Sequence, residues 1–472
     1  MRTLLLTGVM SVLATGCSFT TAAGLDECET SADCQSDQVC TQQVCLPLPG
    51  GCRAEPYGST DAEAIRMGGL FPIHTSPEPG ASEDESDVQG FNAVLLALEE
   101  VNQRTLGGKK IALYFCDTGS NKDVAEKQAR WLVNDKKVAA VLTAGSSQTL
   151  AAADVTIPAG VLTMSYSASS QEVTVKPDTN GGPVGLLWRT SPSDAIQGSV
   201  IAHLLRTRSD LFGGTLPSKV GILYVEDPYG QGLSNIISEQ LNTGPSRVAN
   251  RPFFYQRGSD VKPVLDSLDV TYGPDVTVLI GFAEDVTAIL REASTRNNLK
   301  RESGHHWLFS DSVKDAAVLA DALAASQARG FHGTAPAQGT GQAFSTFSAR
   351  FNDKYKKDPA AYAYTSNAYD AMYLLALSAS YSLSTANTVT GEKMAEALTR
   401  VSSGTSSTNT QLTNSNFTYL AAELAAGRSV NIEGASGPLD FDANGEARAP
   451  VELWQVGDTG FVTISSNLGP PP

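Results

Sequence analysis

Residues 110–174 alternate short apolar runs with amphipathic ones: KIALYFCDTGSNKDVAEKQARWLVNDKKVAAVLTAGSSQTLAAADVTIPAGVLTMSYSASSQEVT. That alternation of two periodicities is the signature of strands joined by crossover helices, so it forces a parallel sheet covered by helices. Two of the apolar runs end in small hydroxyl residues, at Ala144-Gly145-Ser146-Ser147 and at 165–170, SYSASS. Open parallel sheets bind ligands at the carboxyl ends of their strands. Two serine clusters at two such ends therefore outline a polar pocket for a small molecule.

The pattern extends in both directions. A strand is expected at 65–71, a helix at 88–102, a strand at 110–116, a helix at 121–134 and a strand at 138–143. A helix at 147–155 and a strand at 161–165 complete a βαβαβαβ unit with right-handed crossovers. The pattern resets after Leu187-Trp188-Arg189-Thr190. Helices at 193–206, 230–241, 260–268 and 283–296 then alternate with strands at 220–225, 247–254, 276–281 and 306–310. A crossover at 333–341 should lead to helices at 344–356 and 362–382. The segment 403–416 reads as a low-complexity surface loop, and an Asp-Ala-Asn-Gly turn at 442–445 should close a terminal hairpin. The fold class is thus α/β, two Rossmann-like lobes with parallel central sheets joined by a hinge. Lobe 1 is expected to take 61–190 and 341–428, and lobe 2 191–340 and 429–465. A cleft between two hinged lobes is a natural binding site that closes by lobe motion.

The front of the chain reads as export. Met1-Arg2 precedes an apolar run, Leu4 to Ala14, too short to cross a bilayer, so 1–16 is expected to be a signal peptide. Ala14-Thr15-Gly16-Cys17 resembles a bacterial lipobox, which implies lipidation of Cys17 and a membrane-tethered protein in the periplasm or at the cell surface. An ordinary signal peptide is the alternative. The next stretch, 17–60, holds Cys28, Cys34, Cys40 and Cys45 among few large apolar residues, so it needs cross-links to hold a shape. It resembles the Cys-rich modules that follow the lipid anchor in some myxobacterial lipoproteins. Four cysteines allow three pairings; the expectation is Cys28–Cys40 with Cys34–Cys45, leaving Cys52 for Cys116. A zinc site is the alternative, disfavoured by the lack of a CxxC pair and of a nearby histidine.

The net charge is −16, or −17 without Arg2, and basic residues form nothing longer than pairs such as Lys136-Lys137 and Lys356-Lys357. Such a chain repels nucleic acid and anionic membrane surfaces, so contact with a membrane is expected through the lipid anchor alone.

From about 62 to 465 the ordered features VAAVLTAGSSQTLAAA, GVLTMSYSASSQEVT, WRTSPSD, VGILYVEDPYGQG, LIGFAEDV, WLFSDSV and SNAYDAMYLLA resemble the type I periplasmic binding proteins. The branch is the leucine/isoleucine/valine-binding family of ABC transporters and the related receptor domains. The resemblance implies that lobe 1 holds a ligand's carboxylate and ammonium through residues matching Ser146, Ser147, Ser167 and Ser169. The physics agrees, because a helix amino terminus offers free N–H groups to an anion. It further implies an aromatic at Tyr229 stacking on the ligand, a carboxylate at Asp311 pairing with the ammonium, and Phe282 along the wall. The loop after the first strand departs from the family. TSPEPGASEDESDVQ has no aromatic and several carboxylates, which leaves a polar, cationic or larger ligand open.

Rival chemistries lack their parts. Asp117-Thr118-Gly119 matches one aspartic-protease triplet, but that chemistry needs two carboxylates sharing a proton. Gly145-Ser146-Ser147-Gln148-Thr149 lacks the second glycine of a hydrolase elbow. His305 and His306 are adjacent on a strand and so face opposite sides, which argues against a shared metal. No phosphate-binding loop occurs. The expectation is a non-enzymatic binding protein without cofactor or metal, partnered by a small amino-acid-like ligand and an ABC permease. A sensor of the same fold is the alternative.

Overall fold

A computed structural model describes residues 26–469 except 30–32, 36–37, 42, 105, 244–246 and 403–408. The signal peptide and Cys17 lie outside the described residues. The chain divides into two compact units, Met1–Pro49 and Gly50–Pro472.

In the first unit, strands β1 (Gln38–Thr41) and β2 (Val44–Pro47) form an antiparallel hairpin. Disulfides Cys28–Cys40 and Cys34–Cys45 bridge it, as expected from the sequence. The bonded pairs leave no thiolate for the zinc alternative.

The second unit begins with β3 (Tyr57–Gly58), β4 (Ile65–Phe71), β5 (Ile111–Asp117), β6 (Ala140–Thr143), β7 (Leu162–Ser165) and β8 (Leu187–Arg189). They make one sheet in the order β3-β5-β4-β6-β7-β8, parallel except for β3. Cys52 is bonded to Cys116 at the end of β5, which fixes the entering chain to the sheet. A second sheet follows from β9 (Lys219–Val225), β10 (Ala249–Tyr255), β11 (Val276–Ile280), β12 (His306–Phe309) and β13 (His332–Pro336). A small sheet of β14 (Asn409–Gln411), β15 (Asn431–Gly434) and β16 (Gly437–Pro438) comes next, before β17 (Val451–Val456) and β18 (Phe461–Leu468). The second large sheet runs β10-β9-β11-β12-β13-β17-β18, and its last two strands are antiparallel.

Each sheet owns a core. The first gathers Met67, Leu113, Leu142, Met164, Trp188 and the wholly buried face of helix Thr365–Ala386. The second gathers Ile222, Leu279, Phe309, Trp307 and Trp454. Four differences from the sequence reading stand out. Residues 332–336, expected as crossover, form β13, because their edge pairs with both β12 and β17. The closing hairpin turns at 457–460, where Gly457 N donates to Gly460 O, while Asp442–Gly445 makes only an isolated bridge between Phe441 and Ala447. Within the expected loop 403–416, Asn409–Gln411 is a strand beside β15. The first core also holds Val430, Ile432, Ala435 and Leu439, so the chain stays with that sheet past residue 428.

The chain therefore passes between the lobes near 190, 340 and 445. At the outer two crossings Arg189 and Glu446 form a buried ion pair, Nη2–Oε1 2.6 Å. Arg189 also donates to the carbonyls of Ala168 and Ser170, both at 2.9 Å.

Candidate functional site

A cavity of about 220 Å³ lies between the two lobes, at the carboxyl ends of β4, β6, β7, β9 and β12. Its wall includes Ser146, Ser147 and Ser167 from lobe 1 and Tyr229, Phe282 and Asp311 from lobe 2. Six of the seven residues expected at the ligand are thus brought together from positions far apart in sequence.

The lobe 1 side is a helix amino terminus. Gly145, at φ +74°, ends the β6 strand and begins helix Ser146–Thr156 without a side-chain cap. The serines therefore do not cap the helix. Ser146 Oγ instead accepts from Ser170 N at 3.2 Å, and Ser167 Oγ accepts from Gly145 N at 3.0 Å. These two bonds lock the two serine turns to each other. The first helical turn keeps its uncapped N–H groups directed at the end of the sheet, where they and the helix dipole favour an anion.

Ser169 is the exception among the expected residues. It is buried and not part of the wall. Its carbonyl accepts from Asp194 N at 2.8 Å, and Ser191 Oγ takes the carbonyl of Ala168 at 3.0 Å. With Arg189 on both neighbouring carbonyls, the turn is fastened to the following segment.

The lobe 2 side centres on Asp311. Tyr229 Oη donates to its Oδ1 at 2.7 Å, Gln197 Nε2 to the same oxygen at 3.0 Å, and Tyr364 Oη to Oδ2 at 2.8 Å. Burial raises the Asp311 carboxyl above its usual range, and these three donors oppose the rise. Tyr229, expected as a free stacking ring, spends its hydroxyl on Ser310 and Asp311 and leans on Phe282, centroids 5.8 Å apart.

The sequence reading missed the charges. Asp84, Ser86 and Asp87 enter the wall from the start of helix Glu85–Asn102, and Arg257, Glu226 and Asp227 from lobe 2. Arg257 Nη2 reaches Asp84 Oδ2 at 3.1 Å and its guanidinium covers the Phe282 ring at 4.3 Å. Ser86 N donates to Asp315 Oδ2 at 3.1 Å. Both contacts join lobe 1 to lobe 2 across the mouth. Burial, then Asp84, pushes Asp87 well above the carboxylate range, and burial raises Asp227 to about 6. Burial and then Asp84 bring Asp315 to about 7. The only signal in the sequence was the acidic loop SEDESD.

Two sheets with crossover helices and three crossings between lobes are an arrangement that known proteins share. The pattern of the "Receptor family ligand binding region" covers residues 89–459. The chain belongs to that receptor ligand-binding family. Its fold is that of the type I periplasmic binding proteins. A leucine-binding protein, LivK, from Thermotoga maritima superposes with a TM-score of 0.67 at 20% identity, covering 86% of this chain and 99% of that one. The branched-chain amino acid transporter substrate-binding protein LivJ from Streptococcus pneumoniae, in complex with isoleucine, gives 0.64 at 18% identity over 87% and 100%. In sequence, the chain is similar to BasB of Halobacterium salinarum, a chemotactic signal transduction system substrate-binding protein, at 25% identity over 85% of this chain and 89% of that one. It is also similar to an amino acid binding protein of Pseudomonas aeruginosa, at 27% identity over 39% of this chain and 45% of that one. Among the described residues of this family member, no helix is long and apolar enough to cross a membrane.

Proposed function

We propose that the protein captures an amino acid or similar small polar solute between its lobes and passes it to an ABC-type permease, tethered to a membrane outside the cytoplasm by lipid on Cys17. The observation that carries the reading is the pairing, in one cavity, of an uncapped helix amino terminus at Gly145–Ser147 with the Asp311 carboxylate. One is built for a carboxylate and the other for an ammonium. Ligand enters the open cleft against Ser146, Ser147 and Ser167, and lobe 2 then swings in with Tyr229, Phe282 and Asp311. Closure is a population shift driven by the extra contacts of the closed state.

A thermal-shift screen of amino acids, organic acids and diamines tests this, since a bound solute raises the melting temperature by mass action. A rise with at least one amino acid is expected; a flat response across the panel refutes the reading. The likeness to a chemotaxis substrate-binding protein favours a second reading, a receptor that signals by closure without a transporter. Neighbouring genes for two permeases and two ATPases would decide for transport, and a neighbouring histidine kinase would decide for sensing.

A further inference from the structure

The wall of the cavity has a sign. Five carboxylates line it, Asp84, Asp87, Glu226, Asp227 and Asp311, against a single cation, Arg257. Three of the five are engaged. Asp84 pairs with Arg257 at 3.1 Å, Asp227 Oδ1 accepts from Gly230 N at 2.8 Å, and Asp311 accepts from Tyr229, Gln197, Tyr364 and, at 3.4 Å, Ser312 Oγ. Glu226 sits exposed at the rim. Asp87 is different. It is half-buried, and the one hydrogen bond to its carboxylate among the described residues is a long one from Tyr166 Oη to Oδ1, 3.3 Å. Asp87 lines the cavity, and its Oδ2 has no hydrogen-bond donor among the described residues.

The apolar part of the wall comes from Pro72, Val225, Ala283 and Ala363 and from the rings of Tyr166, Tyr229, Phe282 and Tyr364; no leucine, isoleucine or methionine is among the described lining residues, and Arg257 covers the face of Phe282. A branched aliphatic side chain could rest on these rings but would strip water from Asp87 without replacing it. Leaving a polar group buried without a partner is unfavourable. A second ammonium or a guanidinium on the ligand supplies the missing donor and offsets the excess negative charge.

We propose that the bound solute is an amino acid with a cationic side chain, and that Asp87 is the residue that selects it. This rests on the amino-acid reading of the site given above. Burial and the neighbouring Asp84 favour the protonated form of the empty Asp87; an incoming cation takes the place of that proton.

The test is calorimetric titration of the full chain with L-lysine, L-arginine and L-ornithine against L-norleucine and L-leucine. Norleucine is lysine without its side-chain amine. At least one basic amino acid should bind tenfold or more tighter than norleucine. Asp87→Asn should remove most of that preference, weakening the basic amino acid by a larger factor than norleucine. Equal or tighter binding of norleucine or leucine by the wild type overturns the inference but leaves the amino-acid reading standing. An equal loss for charged and neutral ligands in Asp87→Asn makes Asp87 structural and also overturns it. If no amino acid binds, the reading and the inference fall together. Should Asp87→Asn fail to fold, the wild-type ranking of lysine over norleucine decides alone.

Discussion

Tyr364, packed in the core of lobe 1, donates its hydroxyl to Asp311 of lobe 2 at 2.8 Å, on the oxygen opposite the one that Tyr229 takes. The carboxylate is thus shared between the lobes before any ligand is considered. It serves as a hinge-side contact and as the negative pole of the cleft. Asp311→Ala leaves the buried Tyr364 hydroxyl without its acceptor, while Tyr229 keeps Ser310 and Gln197 keeps Thr334. The expected loss is about 1–3 kcal/mol of stability, read by denaturant unfolding. Binding of amine-bearing solutes should weaken by a few kcal/mol, the usual size for a broken buried charge pair.

Arg257 and Asp84 clasp the mouth from opposite lobes. A double-mutant cycle of Arg257→Ala and Asp84→Ala should return a coupling of about 1–3 kcal/mol, since the two side chains touch. Solution scattering should show a larger radius of gyration for Arg257→Ala as the cleft opens. No coupling and an unchanged radius would mean that the pair does not hold the lobes.

Gly145 adopts φ +74° and ψ 142°, a region that a side chain strains to enter. Gly145→Ala should cost about 1–3 kcal/mol of stability. An added Cβ would also lie 2.4 Å from Gln148 Oε1. The Gln148 side chain can swing aside, so the backbone strain is the larger effect. Affinity for carboxylate-bearing solutes should fall as well, because the turn that aims the N–H groups shifts.

Asp315 is buried with its carboxyl raised to about 7, by burial first and by Asp84 second. A carboxyl that binds its proton more tightly when folded lowers stability as pH rises from about 4 to 7, with no further loss above that. Asp315→Asn should flatten this slope by a few kcal/mol. Melting curves at pH 4.5, 6 and 7.5 for the two proteins check it. Parallel slopes would contradict the assignment.

The Cys52–Cys116 bond closes a separation of 64 residues onto the edge of the first sheet. Replacing both cysteines by serine should lower stability by about 2–4 kcal/mol. The cavity should survive, because neither residue lines it.

Strand and helix order was legible because the crossover pattern repeats with strongly apolar strands such as Ile65–Phe71 and Val276–Ile280. His332–Pro336 was not legible, because a short run with a glycine and a proline reads as a connection until its two partner strands are known. The terminal turn went to Asp-Ala-Asn-Gly, a strong local signal, while the pairing of β17 with β18 chose Gly457–Gly460. At the site, the serines and Asp311 were readable from strand ends. Ser169 lies off the cavity wall, in a turn whose flanking carbonyls are held by Arg189 from β8. Asp87 and Arg257 acquire meaning only when the second lobe faces the first. The sequence spacing of Asp84 and Arg257 carries no trace of the ion pair they form across the lobes.

The account depends on two poles in one cavity, an anion seat at Gly145–Ser147 and a cation seat at Asp311. Calorimetric titration with the tightest-binding amino acid, its carboxamide and its Nα-acetyl derivative tests both poles at once. One solute per chain is predicted, with affinity reduced at least tenfold in each derivative. Undiminished binding of both derivatives would contradict the account.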